Sequence, residues 1–235
     1  MRPSHSSVIA VVLGACLIAG GAREAAAQQA AAARPMTRDA WPADIDRNSG
    51  FRLPLPRRDD LDDAGKAAYD RFTAPGASIA GLQGPNGVQL YSPRIAGQVS
   101  AVNGFLRRDA GISPRLREIA ILTTAREFDS QFEWTAHERE ALKEGAPPAT
   151  IEAIKFRKPL EGLDSTDALV IELGRQLWRD HKVSSATFAR GKETFGPNRL
   201  VNIILLMGNY AGTAALLTAV DMQLHDGETP LLPLP

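Results

Sequence analysis

Residues 113–137 read Ser-Pro-Arg-Leu-Arg-Glu-Ile-Ala-Ile-Leu-Thr-Thr-Ala-Arg-Glu-Phe-Asp-Ser-Gln-Phe-Glu-Trp-Thr-Ala-His, and this stretch decides the fold. Ser113 is a good N-cap, and Pro114 follows at the first helical position, where a missing N–H costs nothing. A helix near 114–127 is the consequence. Asp129 and Ser130 then cap a second run, which closes at Gly145 ahead of Pro147-Pro148. Two consecutive helices, each with its own start signal, set the pattern for the rest of the chain.

Upstream, Ser92-Pro93 repeats the Ser-Pro signal and predicts a helix near 93–108. Leu61, Ala64, Ala68 and Phe72 recur near helical spacing behind Asp59-Asp60, whose charge suits a helix N-terminus, so another helix is expected near 60–73. Between them, residues 74–92 carry Pro75, Gly76, Gly81, Gly84, Pro85 and Gly87, a punctuated loop long enough to serve as an active-site lid. Downstream, Pro148 opens a short helix near 149–156, and Ser165 starts one with Leu169, Leu173 and Leu177 on one face. Ser184-Ser185 opens a shorter helix that Gly196-Pro197 stops.

A last helix near 198–222 is apolar almost all round, and a membrane span needs about 20 such residues. Asn202, Gly208, Asn209 and Gly212 interrupt it, and no basic cluster flanks it. A helix buried at the centre of the fold or at a subunit interface is therefore expected, with no membrane span in the mature chain. No strand pattern of any length occurs, so the fold class is all-α.

The N-terminus reads as an address. Arg2 supplies a positive start, Val8 to Ala22 an apolar stretch, and Ala25-Ala26-Ala27 a small-residue cleavage site. Residues 1–27 are expected to be a signal peptide and the protein periplasmic or secreted. Leu13-Gly14-Ala15-Cys16 loosely matches a lipidation signal, but the apolar run continues past Cys16, which favours ordinary cleavage. Residues 28–58 then read as a flexible linker and N-terminal arm, 59–225 as the helical domain, and 226–235 as an extended tail whose Leu residues are placed to cross a neighbouring subunit.

Composition excludes several chemistries. Lys plus Arg and Asp plus Glu each number 27, and removing residues 1–27 leaves 25 against 26. Near-neutral charge without a basic run gives no footprint for nucleic acid or an anionic membrane surface. Cys16 is the one cysteine of the sequence, so the mature chain has no thiol for disulfides, redox cycling or thiolate metal sites.

Three histidines follow the leader: His137, His181 and His225. His137 has the richest surroundings. The four-residue step from Glu133 puts carboxylate and imidazole on one helical face, an arrangement that orients the ring and raises its pKa for acid–base work. The same spacing also describes a surface ion pair worth a few tenths of a kcal/mol. Glu118 shares a stripe with Leu122 and lies near Ile119, so it either meets His137 from the adjoining helix or bonds Arg115 or Arg117 at the surface. Arg94 and Arg126 are candidate partners for a substrate carboxylate, Trp134 and Tyr210 candidate walls of a pocket. His181 and His225 have no Asp, Glu or His at ligand spacing, so no metal site is expected.

In combination, Gly84-Pro-Asn-Gly87, Tyr91-Ser-Pro-Arg94, Arg115-Leu-Arg-Glu-Ile-Ala-Ile-Leu122, Glu133-Trp-Thr-Ala-His137, Gly145 and Asn209-Tyr210 carry a resemblance. Over roughly residues 60–222 the chain resembles the carboxymuconolactone decarboxylase and alkylhydroperoxidase D-like family. The resemblance implies a compact helical bundle of the alkylhydroperoxidase D-like type, assembled as a trimer or hexamer. The peroxidase branch of that family uses a Cys-x-x-Cys pair, and the matching positions here are Ser130 and Glu133, so thiol peroxidase chemistry has no nucleophile. The decarboxylase branch has a glutamate four residues before the histidine, as here. It implies loss of CO2 from a small carboxylated lactone, with no cofactor and with His137, Glu133 and Glu118 at the centre. Since that reaction is cytoplasmic in its usual pathway and this chain reads as exported, a related ring acid is also expected as substrate. A non-catalytic small-molecule binding or assembly protein on the same fold is the alternative.

Overall fold

Helix Pro114–Glu127 is the axis of the fold. Ten of its fourteen residues are buried, among them Ile119, Ile121, Leu122, Thr123, Thr124 and Ala125. A helix apolar on every side has to be surrounded, and four others pack on it. The computed structural model describes residues 34–76 and 79–234. Among these there are eight α-helices and no strand: α1 Asp63–Thr73, α2 Pro85–Gln89, α3 Pro93–Arg108, α4 Pro114–Glu127, α5 Gln131–Lys143, α6 Pro148–Lys155, α7 Ser165–Trp178 and α8 Ser185–Ala219. The central α4 is enclosed by α5, α6, α7 and α8. The expected signal peptide over residues 1–27, with Cys16, and residues 28–33 of the expected linker lie outside the described residues.

Several helix starts carry side-chain caps, at Ser113 as read and at Asp62 and Asp164 beside the Asp59-Asp60 and Ser165 signals. Ser113 accepts a hydrogen bond from Leu116 N, Asp62 from Gly65 N and Asp164 from Thr166 N and Asp167 N, satisfying amides that the first helical turn leaves open. Ser92 and Ser130 stand at N-cap positions without a side-chain bond. The loop 74–92 contains one short helix, α2, that the sequence reading leaves out. The two elements expected on either side of Gly196-Pro197 are arms of one bent helix. Gly196 takes φ 74°, which a residue with a Cβ rarely adopts, and Pro197 restarts the helix without needing its N–H bonded.

Beyond that bend α8 is the core helix its pattern suggests. Leu200, Ile203, Leu206, Met207, Tyr210, Ala214 and Leu217 are buried against the rest of the fold. Among the described residues it is the one helix long and apolar enough to cross a membrane, and half of its most apolar stretch is buried inside the protein.

The two ends depart from expectation. Residues 34–58 are a packed arm, not a loose linker, because Trp41, Ile45 and Phe51 are each under 5% exposed. Burying side chains of this size stabilises by about 1.5–3 kcal/mol each, and backbone bonds join the arm to the far end of the chain. Met36 exchanges hydrogen bonds with Glu228 and Gly227, Arg52 N donates to Val220 O, and Gln223 N donates to Gly50 O. The tail is extended, as expected, but it lies on its own domain: Leu232 is buried in the main core with Leu231 beside it. An apolar pair this close to its own core has a nearer partner than a second subunit.

Candidate active site

The loop between α4 and α5 sets the site. Phe128 closes α4, Asp129 turns the chain with φ 48°, and α5 runs back along α4. Asn and Asp tolerate this left-handed conformation better than other side-chain-bearing residues, and Asp129 is further held by Arg126 and Arg157. The return brings His137 of α5 beside Glu118 of α4.

His137 Nδ1 lies 2.6 Å from Glu118 Oε2, and Nε2 lies 3.4 Å from Glu133 Oε2. Both ring nitrogens therefore face carboxylates, and an imidazole can donate from both only as the cation. Burial alone pushes the His137 pKa down. The Glu118 carboxylate, and then that of Glu133, outweigh it and raise the pKa from 6.5 to about 9. At neutral pH His137 is a buried imidazolium, an acid rather than a base. Glu118 is fully buried; desolvation works to raise its pKa, but His137, Arg117 and Arg107 together hold it below the ordinary carboxylate range.

Glu118 bonds an arginine as well as His137, but in the interior and not at the surface. It meets His137, and its Oε1 also accepts from Arg117 Nε at 2.8 Å and lies 3.7 Å from Arg107. Arg117 in turn donates to Arg107 O, which ties the end of α3 to α4. Arg107 Nη1 donates to the Tyr210 hydroxyl at 2.6 Å, and the Tyr210 ring stands edge-on to the His137 ring, 5.2 Å away. Burial raises the Tyr210 pKa above its ordinary value, with Arg107 opposing.

These groups line a cavity of about 350 Å³, the size of a small-molecule site. His137, Glu133 and Tyr210 form one wall, Arg107, Arg108 and Arg117 another. Ile79, Ala80, Pro85, Asn86 and Gln89, from the loop the sequence suggested as a lid, cover it. A smaller space of about 160 Å³ adjoins it past Phe132 and Ala136, where His225 packs on Phe132. Among the described residues, no set of three or more His, Cys, Asp or Glu side chains is placed to share a metal ion.

Three sequence candidates belong elsewhere. Arg94 is exposed at the start of α3 and is not part of the cavity wall. Arg126 is buried and holds the tail, donating to Pro233 O and to Asp129. Trp134 is fully buried core, its Nε1 donating to Glu138 with Lys155 stacked over its ring. The arginines that line the cavity are Arg107, Arg108 and Arg117. Arg107 and Arg108 sit in the last turn of α3, where the helix dipole also accounts for a basic residue, so their sequence signal was ambiguous. Arg108 is the telling one. Its guanidinium folds back over Gly104, where an added Cβ would come within 2.6 Å of it, and among the described residues it has no ion pair. No protein-family model matches the chain, and no curated protein matches it.

Proposed function

We propose that the chain is a member of the carboxymuconolactone decarboxylase and alkylhydroperoxidase D-like family that lacks the Cys-x-x-Cys pair. On this reading the cavity removes CO2 from a small carboxylated lactone or ring acid without a cofactor, in an exported homo-oligomer. The observation that carries the reading is the buried His137 ring, with Nδ1 2.6 Å from Glu118, on the wall of a cavity rich in arginine.

The charge balance suits an acid as substrate. Arg107, Arg108, Arg117 and His137 supply four positive charges against the carboxylates of Glu118 and Glu133. Arg117 and Arg107 are already committed to Glu118 and Tyr210, which leaves Arg108 to take the substrate carboxylate that stays on the product. The carboxylate that leaves sits toward Glu133, whose negative charge favours its departure as neutral CO2.

In the reaction the C–CO2⁻ bond breaks, and its electron pair moves into the conjugated carbonyl to give a dienolate. Nδ1 stays with Glu118, so Nε2, beside the cavity-lining Glu133, is the nitrogen whose proton is delivered to the dienolate carbon. Neutral His137 then regains a proton from solvent, and the cycle closes with no change of oxidation state. Placing the acid at the carbon and the carboxylate on Arg108 supplies orientation as well as charge.

The test is CO2 release by the purified protein across a panel of carboxylated lactones and related ring acids, with His137→Ala and Glu133→Gln in parallel. Wild type should turn over at least one of them, and His137→Ala should lose the 10²–10⁴-fold typical of acid–base catalysis. Absence of turnover, or a His137→Ala variant equal to wild type, would refute the proposal and favour a non-catalytic binding role.

A further inference from the structure

The Tyr210 hydroxyl accepts a hydrogen bond from Arg107 Nη1 at 2.6 Å. A guanidinium has only N–H donors, so this bond occupies a lone pair on the phenol oxygen and leaves the phenol's own proton unused. Among the described residues no acceptor takes that proton. Tyr210 is nonetheless buried, and it forms part of the cavity wall. A buried hydroxyl with an unspent donor on a cavity wall is placed to donate to a group bound in that cavity.

Its surroundings prepare it for a negatively charged acceptor. Donation from Arg107 draws electron density from the phenol oxygen, which strengthens the remaining O–H as a donor. Arg107 is itself fixed, since it lies 3.7 Å from Glu118 while Arg117 donates to its backbone carbonyl. The hydroxyl is fixed relative to the acid as well, because the Tyr210 and His137 rings are in edge-on contact. Burial keeps Tyr210 in its protonated form across the working pH range.

We propose that Tyr210, with Arg107 behind it, is an oxyanion site: its O–H donates to the oxygen of a conjugated carbonyl that becomes an enolate. This rests on the reading of the cavity as a decarboxylation site and assigns the atom that receives the electrons. As the C–CO2⁻ bond breaks, negative charge builds on that oxygen, which is conjugated through one or two double bonds with the carbon that His137 protonates. Tyr210 makes its hydrogen bond without losing its proton, so His137 remains the one proton donor to carbon. Preorganised donors of this kind stabilise the transition state more than the substrate, because the charge they meet develops only during reaction.

The site can be tested without any turnover by binding 4-nitrophenol, whose neutral and ionised forms absorb at different wavelengths. At a pH just below the reporter's own pKa, wild type should bind it as the phenolate. Tyr210→Phe, which keeps the ring, should weaken phenolate binding about 10- to 100-fold, the range for a hydrogen bond to a charged group. Arg107→Met should weaken the phenolate while leaving the neutral phenol unaffected. Arg94→Ala, outside the cavity, serves as the unchanged control. Preference of wild type for the neutral form, no binding by wild type, or equal phenolate binding by Tyr210→Phe would each overturn the assignment. Phenolate binding that depends on Tyr210 with no CO2 release from any acid would leave the oxyanion site standing and remove the decarboxylase reading. CO2 release with a kcat that Tyr210→Phe leaves unchanged would do the reverse.

Discussion

Replacing Glu118 by Gln keeps the side chain's size and removes the charge that holds His137 protonated. The rise of the His137 pKa from 6.5 to about 9 measures how much better the folded protein binds that proton. At about 1.4 kcal/mol per pH unit, it corresponds to roughly 3 kcal/mol of stability. Because the folded value is raised, this contribution is complete below about 6.5 and is lost as pH climbs through about 9. The lowered pKa of Glu118 has the opposite sense: its contribution is present at neutral pH and disappears as pH falls through that lowered value. Near pH 6 to 7 the Glu118→Gln variant should therefore be less stable than wild type by up to roughly 3 kcal/mol, the share that Glu133 supplies being kept. Near pH 10 the gap should narrow, because wild type has by then lost its own imidazolium and only the Arg117 and Arg107 contacts still differ. Urea unfolding of both proteins at the two pH values measures this directly. A gap of the same size at both, or none at either, would refute the assignment of the imidazolium to the Glu118 pair.

Other outcomes follow from the same geometry. If His137 delivers the proton, kcat/KM for CO2 release should stay level through neutrality and fall only above about 9; a fall beginning near 6.5 would mean the raised pKa is wrong. Gly104→Ala adds a Cβ 2.6 Å from the Arg108 guanidinium. The variant should be as stable as wild type or up to about 1 kcal/mol more so, from the helix propensity of Ala, while KM rises severalfold with kcat retained. An unchanged KM would show that Arg108 does not hold substrate. Leu232→Ala should cost about 2–4 kcal/mol in urea unfolding, as large-to-small changes in a core do, and leave CO2 release per folded molecule unchanged. A fall of less than about 1 kcal/mol would contradict the packed tail.

Helix positions were legible because their start signals are local. Ser113 acts within one turn of the residues it caps, the caps Asp62 and Asp164 lie beside the Asp59-Asp60 and Ser165 signals that the sequence offers, and the bundle follows from where the apolar runs lie. The Glu133–His137 pair was legible for the same reason. The contact between Glu118 and His137 depends on how two helices pack, and sequence could supply only a pattern that leaned toward burial. Arginine assignments failed for a related reason. Position on a helix says which residues share a face, yet Arg126 and Arg108 differ by what lies across from them: a tail carbonyl in one case, an open cavity in the other. The arm escaped detection because it has no periodicity. Trp41, Ile45 and Phe51 are anchors spaced irregularly along extended chain, and only the surfaces they meet make them core.

The central claim is that His137 is a buried imidazolium at neutral pH, and ¹⁵N chemical shifts of its two ring nitrogens, followed through a pH titration, test it most directly. Both nitrogens should carry protons at pH 7.5, and the ring should titrate near 9. A neutral ring at pH 7.5, with one bare nitrogen and a titration at or below 6.5, would contradict it.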